Sequence, residues 1–245
     1  MPPYKSPGEP KDPRKKPLDY AGFKALLTES VKKHPTPEIR FPGAIDTGEF
    51  GRTAQVALKE QLTDPKQGER KYTVKLSLDG ELLMTTKPAV GTNQEVLSRY
   101  TVNVENHLDA PCYNRREQAA MSIHTHHVDL PPSAQDCSNM IVEQDERGAV
   151  VAEMVATPGV SYLLLRSLEG IDFVKSRAEA DEWVKGLEAD LSGRLNKLAA
   201  MATNPVEYAV KQREAAYSLL RQISAKYHLA VYTSPEGIIY AKTTL

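Results

Sequence analysis

Three histidines fall within four residues, at His124, His126 and His127, and Ser133 and Asp136 follow shortly after. Imidazole and carboxylate are the donors that hold borderline divalent metals, so this stretch is where the chain can do metal chemistry. On a strand, residues i and i+2 point to one side, and His124 and His126 can therefore offer both rings to one ion. An aspartate in the first turn of a following helix can come back toward that pair and supply a third donor. Two nitrogens and one oxygen, with a fourth position left to solvent, make the hydrolytic zinc arrangement, in which bound water ionises at about pH 7.

Two plainer readings stand beside this one. Ser133-x-x-Asp136 also fits a helix capping box, in which hydroxyl and carboxylate close the first turn with no metal involved. Histidine-rich stretches also occur with no ligand duty. Spacing narrows the metal chemistry by exclusion. A metallo-β-lactamase site needs His-x-His-x-Asp-His, but Val128 stands where its aspartate would be, and Asp129 where its last histidine would be. The His-Glu-x-x-His of thermolysin-like enzymes is absent, as is the Pro-Cys-x-x-Cys of zinc deaminases. No Cys-x-x-Cys occurs, which excludes a structural zinc knuckle.

The elements that would position these residues are legible from periodicity. An apolar run over residues 119–123 reads as a strand leading into the histidines, and Ser133 opens a helix ending near Gly148. Upstream, Tyr20, Phe23, Leu26, Leu27 and Val31 predict a helix over residues 19–34 with Asp19 as its N-cap, broken by the prolines of 35–42. A second helix is expected over residues 48–62, burying Ala54, Ala57, Leu58 and Leu62 and ended by Asp64-Pro65. From Glu69 the period changes to two: Tyr72, Val74, Leu76 and Leu78 alternate with polar residues, and Asp79-Gly80 turns the chain into a hairpin.

Further strands are expected over residues 100–104, 149–156 and 161–166. Residues 176–226 read as two helices parted at Asn204-Pro205. The first carries the stripe Val184, Leu187, Leu191, Leu195, Leu198 and Met201, and the second carries Ala209, Ala216, Leu219, Leu220 and Ile223. A terminal hairpin over residues 229–242 turns at Ser-Pro-Glu-Gly. Alternating helices and strands predict an α/β fold, a mixed sheet flanked by helices.

With these elements in place, the histidine stretch resembles the JAMM metalloprotease family of JAB/MPN domains. Its signature is a distant Glu, then His-x-His, seven residues, and Ser-x-x-Asp. This chain has six residues between His126 and Ser133, and His127 stands where bacterial members often carry proline. The helix leading to Glu69, the hairpin through Asp79-Gly80, the run Thr86-Lys87-Pro88-Ala89-Val90-Gly91 and the closing Leu229-Ala230-Val231-Tyr232 hairpin look like parts of bacterial JAB-like domains. The resemblance covers most of residues 48–245.

It implies an MPN/JAB-like (cytidine-deaminase-like) mixed sheet with a helical insertion before the C-terminal hairpin. It also implies zinc (Zn2+) on His124, His126 and Asp136. The remote general base would come from Glu60, Glu69 or Glu81, with Glu69 at the position that the resemblance favours. Glu69 would take a proton from the zinc-activated water, and Ser133 would donate to the developing oxyanion. The reaction implied is hydrolysis of an amide bond, as a metalloprotease or isopeptidase that removes or processes a ubiquitin-like protein. Two alternatives remain: a peptidase acting on cell-wall or phage-tail peptides, and a non-catalytic MPN-type scaffold.

Composition sets the frame. Hydrophobic residues make up 40% and charged residues 26% of 245 residues, enough apolar material for a core without staples. A net charge of -1 gives no pull toward nucleic acid or an anionic membrane, and no basic patch supports a DNA-repair role. No apolar run is long enough to span a bilayer. Residues 1–17 are rich in proline and lysine, lack the apolar core of a signal peptide, and are expected to form a disordered tail. Residues 18–47 would be an N-terminal helix and loop, and 48–245 the metalloprotease domain. Only Cys112 and Cys137 are present, which favours a cytoplasmic setting over a disulfide framework. The helical segment 176–226 offers a face for a protein partner.

Overall fold

The computed structural model describes residues 16–32, 41–64, 68–77, 80–85, 88–90, 118–134, 136–137, 140, 151–166, 177–201 and 204–244. Most of the expected tail, the strand over 100–104, the end of the helix near Gly148, and Cys112 lie outside them.

Helix α1 (Tyr20–Lys32) starts where Asp19 caps it, the carboxylate accepting the Gly22 amide at 2.8 Å. A short strand β1 (Ala44–Asp46) leads to helix α2 (Glu49–Thr63). The buried face of α2 is Phe50, Gly51, Ala54, Ala57, Leu58 and Gln61. Leu62, expected inside, is 46% exposed. It lies one residue past Gln61, a rotation of about 100°, which takes it off the edge of the stripe.

Strands β2 (Arg70–Leu76) and β3 (Leu82–Met84) form the expected hairpin, Val74 facing Met84. Gly80 has φ 85, a left-handed conformation that glycine adopts without a Cβ penalty. Strand β4 (Ala89–Val90) also pairs with β2. Strand β5 (Gln118–Thr125) pairs antiparallel with β2 and parallel with β6 (Ala152–Ala156). Strand β7 (Ser161–Arg166) precedes the long helices α3 (Arg177–Met201) and α4 (Pro205–Tyr227). Asn204 caps α4 through the Glu207 amide. Strands β8 (Leu229–Ser234) and β9 (Ile239–Lys242) close the chain as a hairpin.

The result is a mixed nine-stranded sheet in the order β1-β9-β8-β7-β6-β5-β2-β3, with β4 beside β2. Residues 18–47, set apart from 48–245 in the sequence reading, supply β1 to the sheet and Phe23 and Leu27 to the core.

Alternate strand residues go to different sides of the sheet. Met121, Ile123, Met154, Leu163, Leu165, Ala230 and Tyr232 pack with α1 and α2 in one core cluster. Leu164, Leu229 and Val231 pack with Leu219, Leu220 and Ile223 of α4 in a second. Strands covered on both faces lose polar alternation, which is why β7 reads as a continuous apolar run over residues 162–165.

Helices α3 and α4 lie between two strands, β7 and β8, that are direct antiparallel neighbours, so the helical pair is an insertion at that point. The Tyr162 and Tyr217 hydroxyls, 2.6 Å apart, tie β7 to α4. Trp183 of α3 meets Tyr227 edge-on. Leu187 and Leu191 pack against the second cluster, whereas Met201 at the end of the same stripe is 72% exposed. No helix among the described residues is long and apolar enough to cross a membrane.

Candidate metal centre

The histidines are set by β5. Between Val74 and Lys75 of β2 the register with β5 slips, so that Val74 faces Met121 while Lys75 faces Ala119, leaving Ala120 as an extra residue. Such a bulge re-aims the side chains that follow it. Beyond it, Met121 and Ile123 enter the α1/α2 core, and Ser122, His124 and His126 alternate onto the opposite face. His126 follows the end of the strand but remains tied to β6, its amide donating to the Ala156 carbonyl at 2.9 Å. His124 is 4% exposed and His126 9%.

Asp136 returns to this pair. Its Oδ1 lies 3.2 Å from His124 Nε2, its Oδ2 lies 3.4 Å from His126 Nε2, and the two Nε2 atoms are 3.1 Å apart. A tetrahedral ion with bonds of about 2.0–2.1 Å sets its donors about 3.3–3.4 Å apart. The three side chains therefore form a buried group that could hold a metal ion. The chemistry of the donors agrees with that geometry, because two lone-pair nitrogens 3.1 Å apart need a proton or a cation between them.

The capping box is present as well. The Ser133 amide and hydroxyl both donate to Asp136 Oδ2 at 2.7 Å, and the Asp136 amide donates to Ser133 Oγ at 3.1 Å. The two readings of Ser133-x-x-Asp136 are thus compatible: the box fixes the carboxylate that meets the histidines.

Glu153, not singled out in the sequence, completes the surroundings of His124. It is fully buried on β6, and its Oε1 lies 2.7 Å from His124 Nδ1. A carboxylate there holds the proton on Nδ1 and leaves Nε2 bare for a metal. One signal was available: a lone acid in the middle of Ala-Glu-Met-Val-Ala. Replacing Glu153 with Gln is expected to weaken any divalent-metal binding at this group about 10- to 100-fold, measured by competition with a chromogenic chelator. An unchanged affinity would remove Glu153 from the site.

The loop between His126 and Ser133 has its own clamp. Asp129 Oδ1 accepts from Thr157 Oγ1 at 2.9 Å and from the Val160 amide at 3.2 Å, and its Oδ2 pairs with Arg213 of α4. Gly159 allows this approach, since a Cβ there would meet Asp129 Oδ2 at 2.2 Å. The six-residue connection therefore still delivers Asp136 to the histidines.

The three candidate bases part clearly. Lys71 faces His124 across the β2–β5 ladder, and continuing that register by two residues sets Glu69 across from His126. Residues opposite each other in an antiparallel pair share a face. The Arg70 amide, next in the chain, is anchored to Thr125 Oγ1 at 3.0 Å. Burial raises the Glu69 carboxyl above its ordinary value, while charge on His126 and His124 lowers it. Glu60 instead pairs with the Arg70 side chain and is 52% exposed. Glu81 sits exposed at the hairpin turn, its amide on Ser77 Oγ.

Burial of His124 opposes its charging, but the Asp136 carboxylate and the bonds to Asp136 and Glu153 outweigh it and push its pKa up to about 10. Burial works against the Asp136 charge too, and the His124 charge overcomes it, holding the carboxyl well below its usual range. Without a metal, the pair is a buried imidazolium–carboxylate. Comparison of the chain with protein-family models, curated proteins and solved structures gives no match.

Proposed function

We propose that this chain is a zinc-dependent amide hydrolase of the JAMM type, acting as a metalloprotease or isopeptidase on a ubiquitin-like protein or its conjugates. The observation that carries this reading is the convergence of His124, His126 and Asp136 with donor separations of 3.1–3.4 Å. A zinc ion held there would polarise the scissile carbonyl and bring the pKa of a bound water to about 7. Glu69, opposite His126, would take the proton of the attacking water and return it to the leaving amine. A mixed sheet with helices on both faces and a helical pair inserted before the terminal hairpin agrees with an MPN/JAB-like architecture. A cytoplasmic setting belongs to the same reading.

Ser133 has one hydroxyl proton, and here it is directed at Asp136. Donating to a developing oxyanion requires that bond to be exchanged for one to substrate. Ser133→Ala separates the two duties. Loss of the cap costs about 0.5–2 kcal/mol of stability. Loss of an oxyanion donor lowers kcat about 10²- to 10³-fold with zinc still bound. We expect both, read from a melting curve and from kcat with zinc content measured in parallel. A melting shift with kcat unchanged would leave Ser133 a cap only.

Metal analysis of the purified chain tests the reading first, followed by incubation with a ubiquitin-like fusion substrate with and without chelator. Chelator-sensitive cleavage is the expected result. A chain that neither carries zinc nor gains activity from it would end the proposal. Cleavage of cell-wall or phage-tail peptides, with the fusion left intact, would favour the peptidase alternative. The exposed Met201, Val206 and Val210 where α3 meets α4 favour a partner surface on the helical segment. A scaffold using that surface would bind its partner equally well with zinc removed.

A further inference from the structure

Beside the metal centre lies a half-open cavity of about 340 Å³, lined by the 130–134 loop on one side and by α3 and α4 on the other. Its volume is at the lower end of the range for small-ligand sites, about 300–1,000 Å³. Ser133 is part of its wall, and the same Ser133 is bonded to Asp136 at 2.7 Å, so the cavity adjoins the metal-binding group through Ser133. Its sides are largely apolar, with Pro131, Leu191 and Leu195 among them, and among the described residues Glu188 is the one charged residue in its lining.

We propose that this cavity is the subsite for a lysine or arginine side chain of the substrate close to the scissile amide, with Pro131, Leu191 and Leu195 along its stem and Glu188 at its head. The inference rests on the amide-hydrolase reading and adds a substrate preference to it. Long basic side chains combine an aliphatic stem with a cationic tip, the pairing that this wall presents. Burial is the first influence on the Glu188 carboxyl and raises it. A cation relieves that effect, whereas an acidic side chain would meet the Glu188 carboxylate and a neutral one would leave it partly desolvated. The helical insertion thereby acquires a task, since α3 and α4 supply the wall that the sheet does not.

The test is an NMR titration of the full chain, with and without added zinc, following the amides of Ser192 and Gln212. The probes are Nα-acetyl-lysine N-methylamide and its norleucine and glutamate counterparts. The lysine probe should bind about fivefold tighter than the norleucine probe, as for a partly exposed ion pair, and the glutamate probe should bind weakest. Glu188→Gln should erase the preference for lysine while the norleucine probe still binds. Leu195→Trp should fill the cavity and weaken both. Equal binding of lysine and norleucine to the parent chain, or a lysine preference that survives Glu188→Gln, overturns the proposal. Lysine-selective binding in a chain that hydrolyses no amide would sink the hydrolase reading and leave the subsite standing. Hydrolysis with no basic preference would do the reverse.

Discussion

Glu69→Gln should retain its zinc and lose about 10²- to 10⁴-fold in kcat for amide cleavage, the range for removal of a general acid–base group. Glutamine keeps the shape and the hydrogen-bonding reach of the carboxylate but cannot accept and return a proton. Glu69 is outside the group His124, His126 and Asp136, so zinc content should stay near that of the parent chain. Burial is the largest influence on the Glu69 carboxyl in the metal-free chain and moves its pKa upward. Glu60→Gln and Glu81→Gln are the controls. Glu60 is held by Arg70 at the surface and Glu81 sits on an exposed turn, so both variants should keep parent-like rates. Full activity in Glu69→Gln would take Glu69 out of the reaction. Joint loss of zinc and rate would make it a ligand instead of a base.

How much of this was legible in the sequence depends on the range over which each interaction acts. The i, i+2 histidine pair, the Asp19 cap, the Gly80 turn and the helix breaks at Asn204-Pro205 are local, and local pattern shows them. The serine–aspartate capping box was legible too, but that it points its carboxylate at the histidines depends on the loop before it. That loop is held by Arg213, 84 residues from Asp129, and no periodicity carries such a pairing. Glu153 is 29 residues from His124 and reaches it only because β5 and β6 run parallel side by side. Glu69 lay between these cases. A resemblance favoured it, and the β2–β5 register now supplies a geometric reason, its place across from His126. Strand β1 escaped because three residues are too few to show alternation, and its pairing with β9 is a tertiary event.

Asp136→Ala should abolish tight zinc binding, and with it both hydrolysis and the stabilisation that zinc confers. In the parent chain, zinc at about a hundredfold excess over its Kd should stabilise the fold by about 2.7 kcal/mol. For a chain of this length that is a rise in Tm of about 5–11 °C. The variant should show neither the rise nor the metal. Removing the aspartate also strips the first turn after Ser133 of its cap, so the metal-free variant should melt below the metal-free parent as well. The protonation state of His124 gives this prediction a second, independent readout. In the metal-free chain its pKa is pushed up to about 10, so at neutral pH the ring is charged and paired with Asp136. A metal ligand must be the neutral ring, so zinc has to displace that proton. Apparent zinc affinity should therefore rise at least about tenfold per pH unit between about pH 7 and 8. Calorimetry in buffers of different ionisation enthalpy should register the His124 proton for each zinc bound, together with part of a second proton from the zinc-bound water, whose pKa is about 7. Affinity indifferent to pH over that interval would mean that zinc, if it binds, does so elsewhere than between His124 and Asp136.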